Sequence, residues 1–302
     1  MKRWGTFFII YFLLSGALSC GSSNNSNPTP SPLEVNFISF GDWGTGNSNQ
    51  QAVASLAHQI CQNDKCDFSF VLGDNFYPHG VSSTSDTQWQ TKYKDVYSSL
   101  GLSFYALLGN HDWDSPANPQ AEIDNSAVDS SWKMPAAYYT QVLPDSDHPL
   151  LQLFIINSND FKTNTEEQTW LSEQINQSSA KWKILAFHHP VFSNGSGHTP
   201  DEKQIYPILK PIICHKINLL LSGHDHFFSH LRDESEDCGY DQLVIGTGGQ
   251  DLYPIAPANS APATILYTEQ SFGLGYFSIT SEKISFDFFP TTASSSYSYQ
   301  WQ

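Results

Sequence analysis

The run Phe68-Ser69-Phe70-Val71-Leu72 breaks off at Gly73-Asp74-Asn75-Phe76-Tyr77, and this junction constrains the chain more than any other. A short, continuous apolar run predicts a strand buried on both faces, as parallel sheets require, and the polar stretch behind it predicts the loop by which the chain leaves that strand. In open α/β sheets ligands gather outside the carboxyl ends of the strands. A carboxylate placed there, with a phenol three residues on, can aim both groups at one point, and a metal is the natural target. Asp74 has two oxygens and can bridge two cations, while a deprotonated Tyr77 suits a hard trivalent ion such as Fe(III). Gly-Asp alone is ordinary turn chemistry.

The same grammar recurs along the chain. Residues 35–40 alternate as a strand and end in Gly41-Asp42-Trp43-Gly44, and Val53, Leu56, Ala57 and Ile60 then fall at helical spacing, which predicts a βαβ crossover. A second predicted helix carries Trp89, Tyr93, Val96, Tyr97 and Leu100, stops at Gly101, and leads to a strand over 104–108 that exits into Gly109-Asn110-His111-Asp112. Residues 113–149, rich in Asp, Ser, Asn and Pro, predict a long irregular insertion beside the strand ends. Strands follow over 151–157, 183–187 and 217–221; the second exits into His188-His189-Pro190 and the third through Ser222-Gly223 into His224-Asp225-His226. Thr165-Glu166-Glu167-Gln168 has capping-box spacing, and Thr199-Pro200-Asp201-Glu202 predicts a second cap, for a helix that Pro207 and Pro211 must bend. Residues 243–246 and 277–289 read as antiparallel strands of a second sheet, and 291–302 as a polar tail.

At the ends of parallel strands, Asp42, Asp74 with Tyr77, Asn110 with His111, His188, and His224 with His226 fall along one edge. Singly, each is a turn residue, a loop cap or a satisfied histidine. Together they crowd too many ionisable groups into one place to be buried without a cation.

The first residues predict export. Lys2 and Arg3 precede an apolar run over 7–14, and small residues lead to Cys20, which is too short a segment to span a membrane stably. Cys20 resembles the cleavage and lipid-attachment position of a bacterial lipobox, with a plain secreted signal as the alternative. Residues 1–20 are therefore expected as signal peptide, 21–33 as a flexible linker that ends Pro-rich, and 34–290 as the folded domain. In an oxidising compartment the other four cysteines are expected as disulfides, and of three pairings Cys61–Cys66 and Cys214–Cys238 are favoured. No Cys-x-x-Cys supports a zinc ribbon. The net charge of -16 argues against nucleic acid or an anionic membrane face as partner and leaves room for a small phosphorylated substrate held by metal.

The series Gly-Asp-Trp-Gly, Gly-Asp-Asn-Phe-Tyr, Gly-Asn-His-Asp, His-His-Pro-Val and Gly-His-Asp-His resembles the purple acid phosphatases of the metallophosphoesterase superfamily, above all their small tartrate-resistant type. The resemblance implies an α/β (α+β) fold, a sandwich of two mixed β-sheets flanked by helices, around a dinuclear centre. Residue by residue it implies Fe(III) on Asp42, Asp74, Tyr77 and His226, and a divalent Fe, Zn or Mn on Asp74, Asn110, His188 and His224. Most of the superfamily resembles Asp-x-His at the first motif, where this chain has Gly44; Tyr77 then replaces the imidazole, and its phenolate gives the charge-transfer colour that names the group. The implied activity is hydrolysis of phosphate monoesters by metal-held hydroxide, persisting in acid, with His111 as proton donor and His198 as a second pocket histidine. His189 stands where many relatives have Tyr. Two readings compete: a phosphodiesterase or nucleotidase of the same superfamily, and a non-catalytic surface lipoprotein on this scaffold. Zinc peptidase chemistry would need a His-Glu-x-x-His that the chain lacks.

Overall fold

Strand β2 (Phe68–Val71) forms where the continuous apolar run predicts it, and all of its residues are buried. The computed structural model describes Met1 and residues 33–198, 204–233, 238–257 and 263–302. The export segment with Cys20, the linker up to residue 32 and the cap expected at Thr199 lie outside the described residues. Strands β1 (Glu34–Phe40) and β3 (Phe104–Ala106) flank β2 in parallel, and α1 (Ser48–Asn63) makes the crossover between β1 and β2. Asn47 caps α1 by accepting from the N–H groups of Asn49 and Gln50, and Val53, Ala57 and Ile60 are buried along one face of the helix.

Among the described residues the first sheet has seven strands. It runs from β14 (Tyr297–Trp301) through β13 (Ile284–Pro290) and β12 (Gly273–Thr280) to β1, β2, β3 and β4 (Trp132–Lys133). The second, also of seven, runs β11 (Thr264–Glu269), β9 (Phe228–Asp233), β10 (Tyr240–Ile245), β8 (Leu219–Ser222), β7 (Trp182–Ala186), β6 (Pro149–Ile155), β5 (Tyr139–Pro144). In the first sheet the parallel strands β1 to β4 form one half and the antiparallel strands β12 to β14 the other, whereas the second sheet has a parallel centre with antiparallel strands on both sides. Two mixed sheets with flanking helices are the sandwich that the motif series implied.

Period-two alternation sorts the second sheet's side chains between two cores. Leu151, Leu153 and Ile155 of β6 join Phe37 and Phe70 of the first sheet, whereas Phe154 and Ile156 join Leu171 and Ile175 of α5 (Thr165–Gln177) and Leu209 and Ile213 of α6 (Tyr206–Ile213). In the first core Phe37 stacks between Phe68 and Phe277, at centroid distances of 4.9 and 4.5 Å. Both favoured disulfides are present, Cys61–Cys66 with Cα atoms 5.3 Å apart and Cys214–Cys238 with 5.2 Å.

Several expectations need correction. The parallel strands divide between two sheets, so the five exits do not share one sheet's edge. Residues 243–245 belong to β10 of the second sheet, antiparallel to β9 and parallel to β8, whereas 277–289 belong to the other sheet as β12 and β13, so the two stretches do not share one sheet. The expected insertion over 113–149 holds α4 (Pro119–Val128), β4 and β5, with Pro119 at the first helical turn, where its missing N–H costs nothing. The expected polar tail closes the first sheet as β14, because Tyr297, Tyr299 and Trp301 fall on one face and pack against β9 and β11 through His230 and Tyr267. Helix α5 is capped one residue early, by Asn164, whose side chain accepts from the Glu167 N–H.

Candidate metal centre

The loops leaving β1, β2 and β3 meet those leaving β7 and β8 at one end of the sandwich. Three of the residues concerned hold a left-handed backbone without being glycine: Asp42 (φ 60), Asp74 (φ 48) and His224 (φ 69). Such conformations cost about 1 kcal/mol or more each, and they persist where the surroundings fix a side chain in place. Glycines permit the close approach. A Cβ on Gly109 would lie 2.1 Å from Asp74 Oδ1, and one on Gly44 would lie 1.8 Å from the Asn75 carbonyl oxygen. No imidazole can stand at Gly44.

Tyr77 takes the vacated direction. Its hydroxyl lies 2.7 Å from Asp74 Oδ2, 3.1 Å from Asp42 Oδ1 and 3.2 Å from His226 Nε2. One phenolic proton cannot serve both carboxylates. Burial, then the charges of Asp42 and Asp74, push the phenol well above its ordinary value, so protein groups alone do not make a phenolate.

Every metal-donor residue expected from the sequence arrives at this point. His188 donates Nδ1–H to the Leu72 carbonyl at 2.8 Å and His226 donates Nδ1–H to the Asp251 carbonyl at 2.7 Å. These bonds fix both tautomers and aim each Nε2 lone pair inward, 3.3 Å from Asp74 Oδ1 for His188 and 3.3 Å from Asp42 Oδ1 for His226. A lone pair facing a carboxylate needs a proton or a cation between them. Burial opposes a charge on His188, but the Asp74 carboxylate pushes it up to about 10; reciprocally, burial opposes the Asp74 charge, while His188 and His111 hold that carboxyl well below the usual range. His224 Nδ1 lies 3.0 Å from Asn110 Oδ1 and 3.3 Å from His188 Nε2, and burial followed by the His188 charge depresses it strongly. Donor atoms of Asp42, Asp74 and His188 all lie within 4.8 Å of one another. The donor set therefore fits a pair of cations sharing Asp74: a second carboxylate, a phenol and one imidazole on one side, two imidazoles and an amide on the other.

The two expected catalytic histidines border the site. His111 donates Nδ1–H to the Pro78 carbonyl at 2.7 Å, which leaves Nε2 3.9 Å from Asp74 Oδ2. His198 stacks on His224 at 3.7 Å and bonds Asp225 Oδ1 through Nδ1 at 2.9 Å. His189 lies behind the centre with Nδ1 2.8 Å from Ser158 Oγ, and burial followed by the His188 charge depresses it to about 3.

Sequence reasoning missed the group that locks two of these loops together. Asp112 accepts from the N–H groups of Asn75, Phe76 and Gly109 at 2.9 to 3.2 Å, binding the loop of Asp74 and Tyr77 to that of Asn110 and His111. Asn75 donates to Asp112 at 3.2 Å and to Glu122 at 2.9 Å, and accepts from the Trp43 indole at 3.1 Å. Burial and then the Asp74 charge push Asp112 up to about 7. Its fixed distance of three residues from Gly109 was the available signal. Tyr253, which stacks on His226 at 3.9 Å, sits in a stretch with no such marker.

A two-sheet sandwich whose loops bring these donors to one end defines a binuclear metal-dependent phosphoesterase. Residues 35–228 match the calcineurin-like phosphoesterase family, and the chain belongs to it. Its relatives include purple acid phosphatase 17 of Arabidopsis thaliana, 28% identical over 86% of this chain and 82% of that protein, and tartrate-resistant acid phosphatase type 5 of Sus scrofa, 28% identical over 82% and 79%. Among solved structures, GAP50, titled the anchor in the inner membrane complex of Plasmodium, aligns with a TM-score of 0.73 at 22% identity over 89% of both chains. Purple acid phosphatase PPD1 of yellow lupin aligns with a TM-score of 0.68 at 14% identity, over 89% of this chain and 54% of that one. These two show the fold.

Proposed function

We propose that this protein is an exported purple acid phosphatase that hydrolyses small phosphate monoesters at an Fe(III)–M(II) centre, with Asp42, Asp74, Tyr77 and His226 around the trivalent ion and Asp74, Asn110, His188 and His224 around a divalent Fe, Zn or Mn. The supporting observation is the convergence of the Tyr77 hydroxyl on Asp74, Asp42 and His226 where Gly44 excludes an imidazole. Bound ions would supply Lewis-acid activation of the phosphate and of the attacking water. The chain's own residues do the rest. Asp74 and Asp42 would hold the ions, and the Pro78 carbonyl turns His111 so that Nε2 can pass a proton to the departing alkoxide as its bond to phosphorus breaks. The stack of His198 on His224, braced by Asp225, places a second imidazole at the rim for the phosphate oxygens. Two disulfides agree with an oxidising compartment, and lipid attachment at Cys20 would hold the enzyme at a bacterial envelope.

Metal analysis and a visible spectrum on wild type and Tyr77→Phe, with a panel of mono- and diesters at acid pH, test this reading. A coloured wild type containing iron, a bleached variant and a preference for monoesters are expected. An unchanged spectrum would show that Tyr77 does not bond iron. One second reading, an anchor on this scaffold, follows the role named for GAP50. Stoichiometric metal with no hydrolysis of any ester would select it.

A further inference from the structure

Beside the metal centre lies a cavity of about 450 Å³, walled by Trp113 and Asp114 after the β3 exit loop, by Asn159 and Lys162 after β6, and by His189. His189 is the wall the two spaces share, since it lines the cavity and its ring lies 4.4 Å from that of His224 and 5.1 Å from that of His188.

Two walls carry groups whose capacity the fold leaves unused. Trp43, Trp89, Trp132, Trp182 and Trp301 each donate the indole N–H to an acceptor, and Trp170 packs on Tyr138. Trp113 rests against the first core, yet among the described residues it has neither an aromatic neighbour nor an acceptor for its N–H. An indole half-exposed in a concave wall is a platform for a flat ring. Among the described residues Lys162 reaches only the Gln204 side-chain oxygen, and no carboxylate pairs with it. In a chain of net charge -16 a cation left without a carboxylate beside the reacting centre favours an anionic or hydrogen-bond-accepting group.

Resting on the phosphatase reading above, we propose that this cavity receives the organic part of the ester, and that Trp113 and Lys162 select a planar ring bearing an anionic or accepting substituent. The phosphate lies at the metal centre, the ester bond passes His189, the ring stacks on Trp113, and its substituent accepts from Lys162 Nζ. Asp114 faces N–H donors on the ring edge. Carboxyaryl phosphates and nucleoside monophosphates share this chemistry.

The test compares kcat and KM of the metal-loaded enzyme for glycerol 1-phosphate, phenyl phosphate, 4-carboxyphenyl phosphate and adenosine monophosphate. Trp113→Ala is expected to lower kcat/KM for the ring esters about tenfold relative to glycerol 1-phosphate, chiefly through KM, as loss of a stacking platform does. Lys162→Ala, at an exposed position that folding tolerates, is expected to lower the ratio of 4-carboxyphenyl to phenyl phosphate about tenfold, with recovery in Lys162→Arg. If adenosine monophosphate follows the carboxylated ester in both variants the subsite accepts nucleobases; if only the carboxylated ester responds it is a site for anionic aryl groups, and both results support the proposal. Ratios at wild-type values, or an equal loss over all the esters, would overturn the subsite while leaving the phosphatase reading intact. A wild type that hydrolyses none of the four overturns that reading, and the subsite with it.

Discussion

The first sheet and the second build unlike halves of the same site. Loops leaving β1, β2 and β3 deliver Asp42, Asp74, Tyr77 and Asn110, all oxygen donors, whereas loops leaving β7 and β8 deliver His188, His224 and His226, all imidazoles. The oxygen half is held by backbone: Asp74 accepts from the His111 N–H at 2.9 Å, and Asp42 accepts from the His224 N–H at 2.9 Å. The imidazole half is held by carbonyls, Leu72 from the first sheet and Asp251 from the loop after β10. Each half is thus oriented partly by the other, and neither is a site alone. Charge lies in the oxygen half, which sets the demand for a hard cation; direction lies in the imidazole half.

The sharpest way to break this division is Asp74→Ala. Among the described residues Asp74 is the one carboxylate that touches Tyr77, His111 and His188 together, so on the proposed reading its loss would remove the group that serves both ion positions. Expected are a fall in kcat of ~10³-fold or more and binding of at most one metal ion per chain, read by elemental analysis. Retention of two ions would place the bridge elsewhere.

Asp112→Asn probes how the oxygen half is aligned, because Asp112 touches no metal donor atom and holds two loops through their backbone. The amide keeps one acceptor oxygen and loses the other. Metal affinity is expected to fall ~10- to 100-fold while the folded content measured by circular dichroism persists. Equal affinity in wild type and variant would show that the β2 and β3 loops stand without this clasp.

What the sequence disclosed follows the same line between the halves. The strand-end positions of the expected donors were legible because each follows an apolar run and a glycine or histidine motif at fixed spacing, which local chemistry dictates. Which sheet each strand joins was not, since strand order depends on pairings far apart in the chain, such as β1 with β12. Helix α4 escaped notice because its first turn opens on a proline and its faces alternate weakly, so that Glu122 and its contact with Asn75 stayed hidden. Strand β14 was readable in principle: Tyr297, Tyr299 and Trp301 keep a period of two, but serine and glutamine between them gave the segment a polar average.

The finest distinction between the halves concerns the metal-free protein, and it predicts stability changes of opposite sign. In the oxygen half Asp42 and Asp74 both face one phenolic proton, so two buried charges oppose each other. Asp42→Asn removes one charge with little loss of bonding, because the amide oxygen still accepts from the His224 N–H and the amide nitrogen can donate to His226 Nε2, whose Nδ1–H is committed to Asp251. At a pH where His226, which burial lowers but Asp42 raises on balance, is neutral, the chelated variant is therefore expected to be as stable as wild type or more stable by ~1 kcal/mol, a rise of a few degrees in Tm at most. In the imidazole half His188→Asn does the reverse. Burial disfavours the Asp74 charge, and His188 is the chief group that offsets this, so its removal leaves a carboxylate buried without its counter-charge and is expected to lower the stability of the chelated protein by ~3 kcal/mol. Both variants lose the stabilisation that added metal gives wild type, measured as the Tm difference with and without chelator. Equal destabilisation by the two substitutions in chelator would mean that the halves do not divide charge from direction, and that the Asp42 charge has a buried counter-charge of its own.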